Sequence, residues 1–273
     1  MEKILTIGIT TFGNKIAQNV VDFLKGQPIK VIISENKDDF SNSQPAFVKE
    51  LQDSGVDTRY LYCENKGIAN NRQNILDNIT TKYYYIIDND DSLTGNLPEL
   101  VKYLSENEYD AFYIRCYEDG DYMHIPHNFI YMCTWMQIYR TEWIRKLGGY
   151  VQSWNFIHEE SVTNINWRAN QGKTPFRRVI LPKKLISYQY HANSACITSF
   201  DVSKVCEFID GIYKNPKIIN KKKFLDLYTY FAKKYIKVYR VNKTETTFID
   251  NFINGSYEDI MNSIENQKKI LRK

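Results

Sequence analysis

The sequence predicts an α/β fold: a mostly parallel sheet flanked by helices, followed by a helical C-terminal extension. Three observations carry this. Apolar, β-branched runs alternate with amphipathic stretches through the first 90 residues, the pattern of a sheet assembled from strand–helix units. The runs are short and apolar, as strands covered by helices on both faces must be. A chain of 273 residues with 43% hydrophobic and 14% aromatic content can also bury a large core.

Each element follows from its local pattern. "ILTIGIT" (4–10) is a buried strand, broken by "TFGN". "KIAQNVVDFLKG" then sets Ile16, Val20, Phe23 and Leu24 on one helical face and stops near Gly26. "IKVIIS" is a second strand, "FVKELQDSG" a short helix and "TRYLYCEN" a third strand. "GIANNRQNILDNI" spaces Ile68, Arg72, Ile75, Leu76 and Ile79 about a turn apart, and "KYYYIIDND" is a fourth strand. After Ser92 the pattern loosens. "LPELVKYLSEN" is a helix, "YDAFYIRCYEDGDYMHIP" reads as a hairpin, "TEWIRKLGGY" as a short helix closed by two glycines, and "EESVTNINWRANQGK" as a further helix. From about Asp201 the chain turns helical and basic, which places a soft boundary near 200.

Bulk properties exclude several classes. A net charge of +4 over this length does not make the concentrated basic face that nucleic acid requires. Five scattered cysteines without a C-x-x-C pair fit reduced thiols rather than a disulfide frame or zinc site. The opening "MEKILTIGITTF" turns polar too quickly for a secretory signal, and no run of about 18 apolar residues appears. The expected location is the cytoplasm.

The candidate chemistry starts at "YYYIIDNDDSL", where Asp88, Asn89, Asp90 and Asp91 end the fourth strand. Three carboxylates in four residues repel one another. A bound Mg²⁺ or Mn²⁺ would offset that repulsion, taking one or two carboxylates with phosphate oxygens and water. A solvated polar turn would too, and both readings stand at this point. The turn lies at the carboxyl edge of the sheet, where such folds bind ligands. "TTFGN", "SENKDD" and "ENKGIANNR" end the other three strands at the same edge. Together the four loops suit a nucleoside diphosphate held with a cation.

Five segments in order resemble the family 2 type of GT-A glycosyltransferases: "IGITTFGN", "NKGIANNRQNILDN", "YYYIIDNDDSL", "IYRTEWIRKLGGY" with "HEE", and "SYQYHANSA". The resemblance spans about 200 residues. It implies a GT-A domain over 1–200, with a nucleotide-sugar half at 1–95 and an acceptor half at 96–200, and a helical extension over 201–273. It also implies roles. Thr10 and Glu35 would touch the base and ribose, Arg72 the nucleotide or diphosphate, and Asp88 the ribose. Asp90 would hold Mn²⁺ or Mg²⁺, with His191 as a second ligand, and Asp91 would support the loop. Glu160 stands where most members carry Asp as the base that deprotonates the acceptor hydroxyl, and Glu159 is its rival. His191 as a packed residue, and Glu159–Glu160 as acids at a helix start, are the plain alternatives.

Tyr131, Trp135, Trp154, Phe156 and Trp167 read as core, with Trp154 the candidate to stack on an acceptor sugar. The basic tail at 221–240 reads as a helix packed on the domain, or as one lying on an anionic membrane surface. The function implied is inverting transfer of a sugar from a nucleotide-sugar donor, expected to be UDP-linked, to a hydroxyl. The acceptor would be a glycan, a lipid-linked molecule or a protein. A non-catalytic sugar-nucleotide or glycan-binding module is the alternative, and a nucleotidyltransferase a lesser one, since "TTFGNK" is a poor phosphate loop.

Overall fold

The computed structural model describes residues 3–13, 15–36, 44–65, 67–118, 121–122, 134–151, 159–173, 176–182, 184–190, 217–224 and 226–227. Its centre is a seven-stranded sheet in the order β10-β6-β9-β4-β1-β2-β3. The strands are β1 (Leu5–Thr11), β2 (Lys30–Glu35), β3 (Asp57–Tyr62), β4 (Tyr83–Asp88), β6 (Ala111–Tyr113), β9 (Gln137–Arg140) and β10 (Arg178–Ile180). β3, β2, β1 and β4 run parallel, and β9 lies antiparallel between β4 and β6. A second sheet has the order β5-β11-β7-β8, from β5 (Ser92–Gly95), β11 (Ile186–Tyr190), β7 (Arg115–Glu118) and β8 (Asp121–Tyr122).

Helices cover both faces of the large sheet because its strands are apolar on both. On one face Leu5, Ile7, Ile9, Tyr83, Tyr85 and Ile87 meet α1 (Gln18–Leu24), α2 (Ala46–Asp53) and α4 (Leu97–Glu106). On the other, Ile32, Tyr84, Ile86 and Tyr139 meet α3 (Ile68–Asn78), α5 (Thr141–Lys146) and α6 (Glu159–Asn170). Gly8 explains how closely α3 approaches: a Cβ there would sit 2.6 Å from Ile75 Cγ2. The glycine pair after α5 has a similar cause. Gly149 has φ +64°, and a Cβ on it would meet the Gln73 carboxamide that accepts the Tyr150 N–H.

The expected strands and helices of the first 90 residues are all present. Two later expectations need correction. Ser92–Gly95, read as loosened pattern, is a strand paired antiparallel with β11; four residues are too few to show a period. Among the described residues, the expected hairpin over 109–126 is β7 against β8. β6 belongs to the large sheet instead, because Ala111, Phe112 and Tyr113 are buried on both faces and no turn separates them from β7. Residues 217–224 pack against α6: Ile218 and Phe224 are buried, and Lys217 O accepts from Asn166 and Asn170. No helix among the described residues is long and apolar enough to cross a membrane.

Candidate active site

A reversal of strand order builds the site. The chain lays β1, β2 and β3 outward in one direction, then returns to place β4 on the other side of β1. Beyond the carboxyl ends of β1 and β4 lies the switch point where open α/β sheets bind ligands. Thr10 and Asp88 are register partners across that seam, and Thr10 Oγ1 donates a 2.6 Å hydrogen bond to Asp88 Oδ1. Arg72, in the second turn of α3, brings Nη2 to 3.4 Å and 3.5 Å from the two Asp88 carboxylate oxygens. Three residues far apart in sequence thus form one cluster. Arg72 is 3% exposed, whereas Asp88 keeps 31% of its side chain in solvent.

The acid turn is closed from within. The Asp91 N–H donates to Asp88 O at 3.2 Å, and Asp91 Oδ2 accepts the Asp88 N–H at 2.6 Å. Asp91 Oδ1 accepts from the Tyr188 hydroxyl on β11. Asn89 fastens the turn to the loop after β1, donating from Nδ2 to Lys15 O and accepting the Ala17 N–H. That anchorage holds residues 15–17 out of helix, so α1 starts at Gln18 rather than at Lys15. Burial, with the Asp88 and Asp90 charges, pushes the Asp91 carboxyl up to about 7 against its two hydrogen bonds. The acids therefore divide by exposure: Asp91 is buried, Asp88 half-buried and Asp90 exposed.

Glu35 is fully buried at the end of β2. Its Oε1 accepts the N–H groups of Gly13 (3.0 Å) and Asn36 (3.1 Å), and Oε2 accepts the Tyr60 hydroxyl at 3.5 Å. Burial, then the Glu35 charge, holds that hydroxyl well above its ordinary pKa, so it remains a donor. The sequence suggested an acid facing a base and ribose; in this structure the side chain fastens the loop after β1. Asn36 does the same for the next loop, donating to Cys63 O and Asn65 O and accepting the Gly67 N–H. No motif marks Asn36, whose role appears only once β2 and β3 are paired. Phe12, in the loop Glu35 fastens, is 69% exposed at the crevice. An exposed aromatic beyond the sheet's carboxyl edge offers a face on which a ring can stack, and a lone Phe in a polar loop gave no signal for it.

Among the described residues no group of three or more His, Cys, Asp or Glu side chains forms a metal cage. The acid turn still fits Mg²⁺ or Mn²⁺ in character. Such ions keep waters and substrate oxygens and take one or two carboxylates from protein, and Asp88 and Asp90 offer hard oxygens toward solvent. Glu159 and Glu160 form the first turn of α6, described there by its backbone. His191 lies outside the described residues, directly after β11 ends at Tyr190. Tyr131, Trp154 and Phe156 also lie outside them, and Trp135 falls in a single 3₁₀ turn described by its backbone. Trp167 is core, edge-on to Tyr139 and Tyr150, with Nε1 donating to Gly149 O.

Comparison with known proteins agrees with this architecture. The family "Glycosyl transferase family 2" matches residues 6–162. No curated protein sequence matches the chain. Among solved structures, S. aureus TarS 1–349 aligns with a TM-score of 0.57 at 15% identity, over 90% of this chain and 77% of that one. The same protein in complex with UDP gives 0.58 at 15% identity, over 92% and 79%. Its UDP-GlcNAc complex gives 0.57 at 13% identity, over 96% and 79%. At these identities the likeness is one of fold.

Proposed function

Because the chain belongs to glycosyl transferase family 2, we propose that it transfers a sugar from a UDP-linked donor to an acceptor hydroxyl, with inversion and with Mn²⁺ or Mg²⁺. The observation that carries this reading is the Thr10–Arg72–Asp88 cluster at the switch point, with Asp90 exposed beside it. UDP is favoured because the fold neighbour was solved with UDP and UDP-GlcNAc.

On this reading Phe12 stacks on the base and Asp88 accepts from a ribose hydroxyl. The Arg72 guanidinium orients Asp88 and lends positive potential to the diphosphate. Asp90 is the carboxylate for the cation, with His191 the expected second ligand. β11, which leads toward His191 in sequence, pairs with β5 up to Gln189 opposite Ser92. A bound cation would neutralise the charge that builds on the departing diphosphate.

In the transfer itself, the acceptor oxygen attacks the anomeric carbon as the bond from that carbon to the diphosphate oxygen breaks. The acceptor proton passes to a carboxylate, assigned to Glu160 with Glu159 as rival. Both residues belong to the first turn of α6, and a carboxylate is the residue type suited to take that proton. The acceptor is a hydroxyl of a glycan, lipid-linked molecule or protein.

The test is a thermal-shift screen of UDP-, GDP-, TDP- and CMP-sugars with Mn²⁺, followed by donor turnover for the best. UDP-sugars should stabilise the chain and be hydrolysed, and Asp90→Ala and Glu160→Gln should each abolish turnover. Full turnover by Asp90→Ala in Mn²⁺ would remove the metal role. Donor binding without any turnover, whatever the acceptor, would favour a sugar-nucleotide-binding module.

A further inference from the structure

One contact ties the acid turn to the second sheet. Asp91, 2% exposed, lies between two donors: the Asp88 N–H on Oδ2 and the Tyr188 hydroxyl on Oδ1. Asp88 ends β4 in the seven-stranded sheet, while Tyr188 belongs to β11 in the four-stranded one. β5 leaves the turn at Ser92 and pairs with β11, where Tyr188 stands opposite Leu93. Strand pairing thus begins only after the turn, which a backbone bond from Asp91 N–H to Asp88 O closes and the Asp91 side chain ties to β11. Hydrogen bonds to a buried carboxylate are among the stronger single contacts a protein makes. Asp91 gives one oxygen to each donor, an arrangement that a carboxamide, with one acceptor oxygen, cannot reproduce.

We propose, on the metal-assisted reading above, that Tyr188 is a positioning residue for the cation. Through Asp91 it holds the Asp88–Asp91 turn in the one conformation that presents Asp88 and Asp90 together. It touches neither substrate nor cation. A plain core tyrosine would instead contribute ring packing, and Tyr188→Phe would preserve that.

The experiment measures Mn²⁺ binding to the full chain saturated with UDP, by electron paramagnetic resonance of free Mn²⁺. UDP affinity in EDTA and the melting temperature are followed in parallel. Tyr188→Phe should weaken Mn²⁺ about 10–100-fold, the usual cost of losing an outer partner of a ligating group. UDP affinity in EDTA should stay within about twofold, because Asp88, the ribose contact on β4, keeps its Thr10 and Arg72 partners, and the other nucleotide contacts lie on the β1 loop and α3. Asp91→Asn should weaken Mn²⁺ comparably, and the double variant should be no worse than the poorer single one, since the two residues act through one bond.

Wild-type Mn²⁺ affinity in Tyr188→Phe, even with a lower melting temperature, would overturn the proposal, and so would additive losses in the double variant. Should Tyr188→Phe not fold, Asp91→Asn decides alone: weakened Mn²⁺ with unchanged UDP supports the positioning role, and unchanged Mn²⁺ overturns it. Failure of the unmodified chain to bind Mn²⁺ with UDP would instead sink the metal-assisted reading itself, and the proposal with it.

Discussion

Replacing Asp88 with Ala should destabilise this protein more than replacing its partner Arg72 with Met. The two share an ion pair at 3.4 Å but share it unequally, at 31% and 3% exposure. Asp88→Ala leaves a guanidinium in the interior facing no carboxylate from β4, and takes the acceptor from the Thr10 hydroxyl. Arg72→Met leaves a carboxylate that water can reach and that Thr10 still donates to, while Met fills much of the vacated volume. Stranding a fully buried charge costs about 3–5 kcal/mol. Asp88 is not fully buried and Arg72 keeps further contacts, so about 2–3 kcal/mol is expected for Asp88→Ala. About 1 kcal/mol is expected for Arg72→Met. Urea melts in EDTA without nucleotide read both as shifts in midpoint at unchanged slope. Arg72→Met costing as much as Asp88→Ala, or Asp88→Ala costing less than about 0.5 kcal/mol, would refute the view that β4 supplies the counter-charge to a buried arginine.

Other expectations concern the rim of the site. Phe12→Ala should raise the donor KM about 5–30-fold, the equivalent of about 1–2 kcal/mol of stacking on one base. Its melting temperature should not move, because Phe12 is 69% exposed; an unchanged KM would remove the stacking role. Cys63 is buried with Sγ donating to Asn65 O, and burial raises its thiol pKa. Followed by mass spectrometry at pH 8, its alkylation by iodoacetamide should be about tenfold or more slower in the native protein than in urea. Equal rates would mean that the β3–α3 loop opens freely.

The sequence by itself determined the strand–helix alternation of the first 90 residues and the address of the acid turn. Both are written in short-range patterns: apolar runs such as "KVIIS", a helix face such as Ile75 and Leu76, and a polar break at each strand end. The order of five segments was legible too, and the family match over residues 6–162 covers the first four. The second sheet was not, because β5 and β8 are four and two residues long and carry no period. Nor were the partners of the acids, whose roles the family resemblance alone ranks. Asp88, Asp90 and Asp91 are the same residue type in one tetrapeptide, and local chemistry cannot rank them. Tertiary structure separates them through partners about 16 to 97 positions away: Arg72 and Thr10 on Asp88, Tyr188 on Asp91. Glu35 shows the same limit, a carboxylate at the expected edge whose oxygens are engaged by Gly13, Asn36 and Tyr60 once β2 pairs with β1 and β3. A sequence records which groups need hydrogen-bond partners; register and sheet order decide which partners they meet.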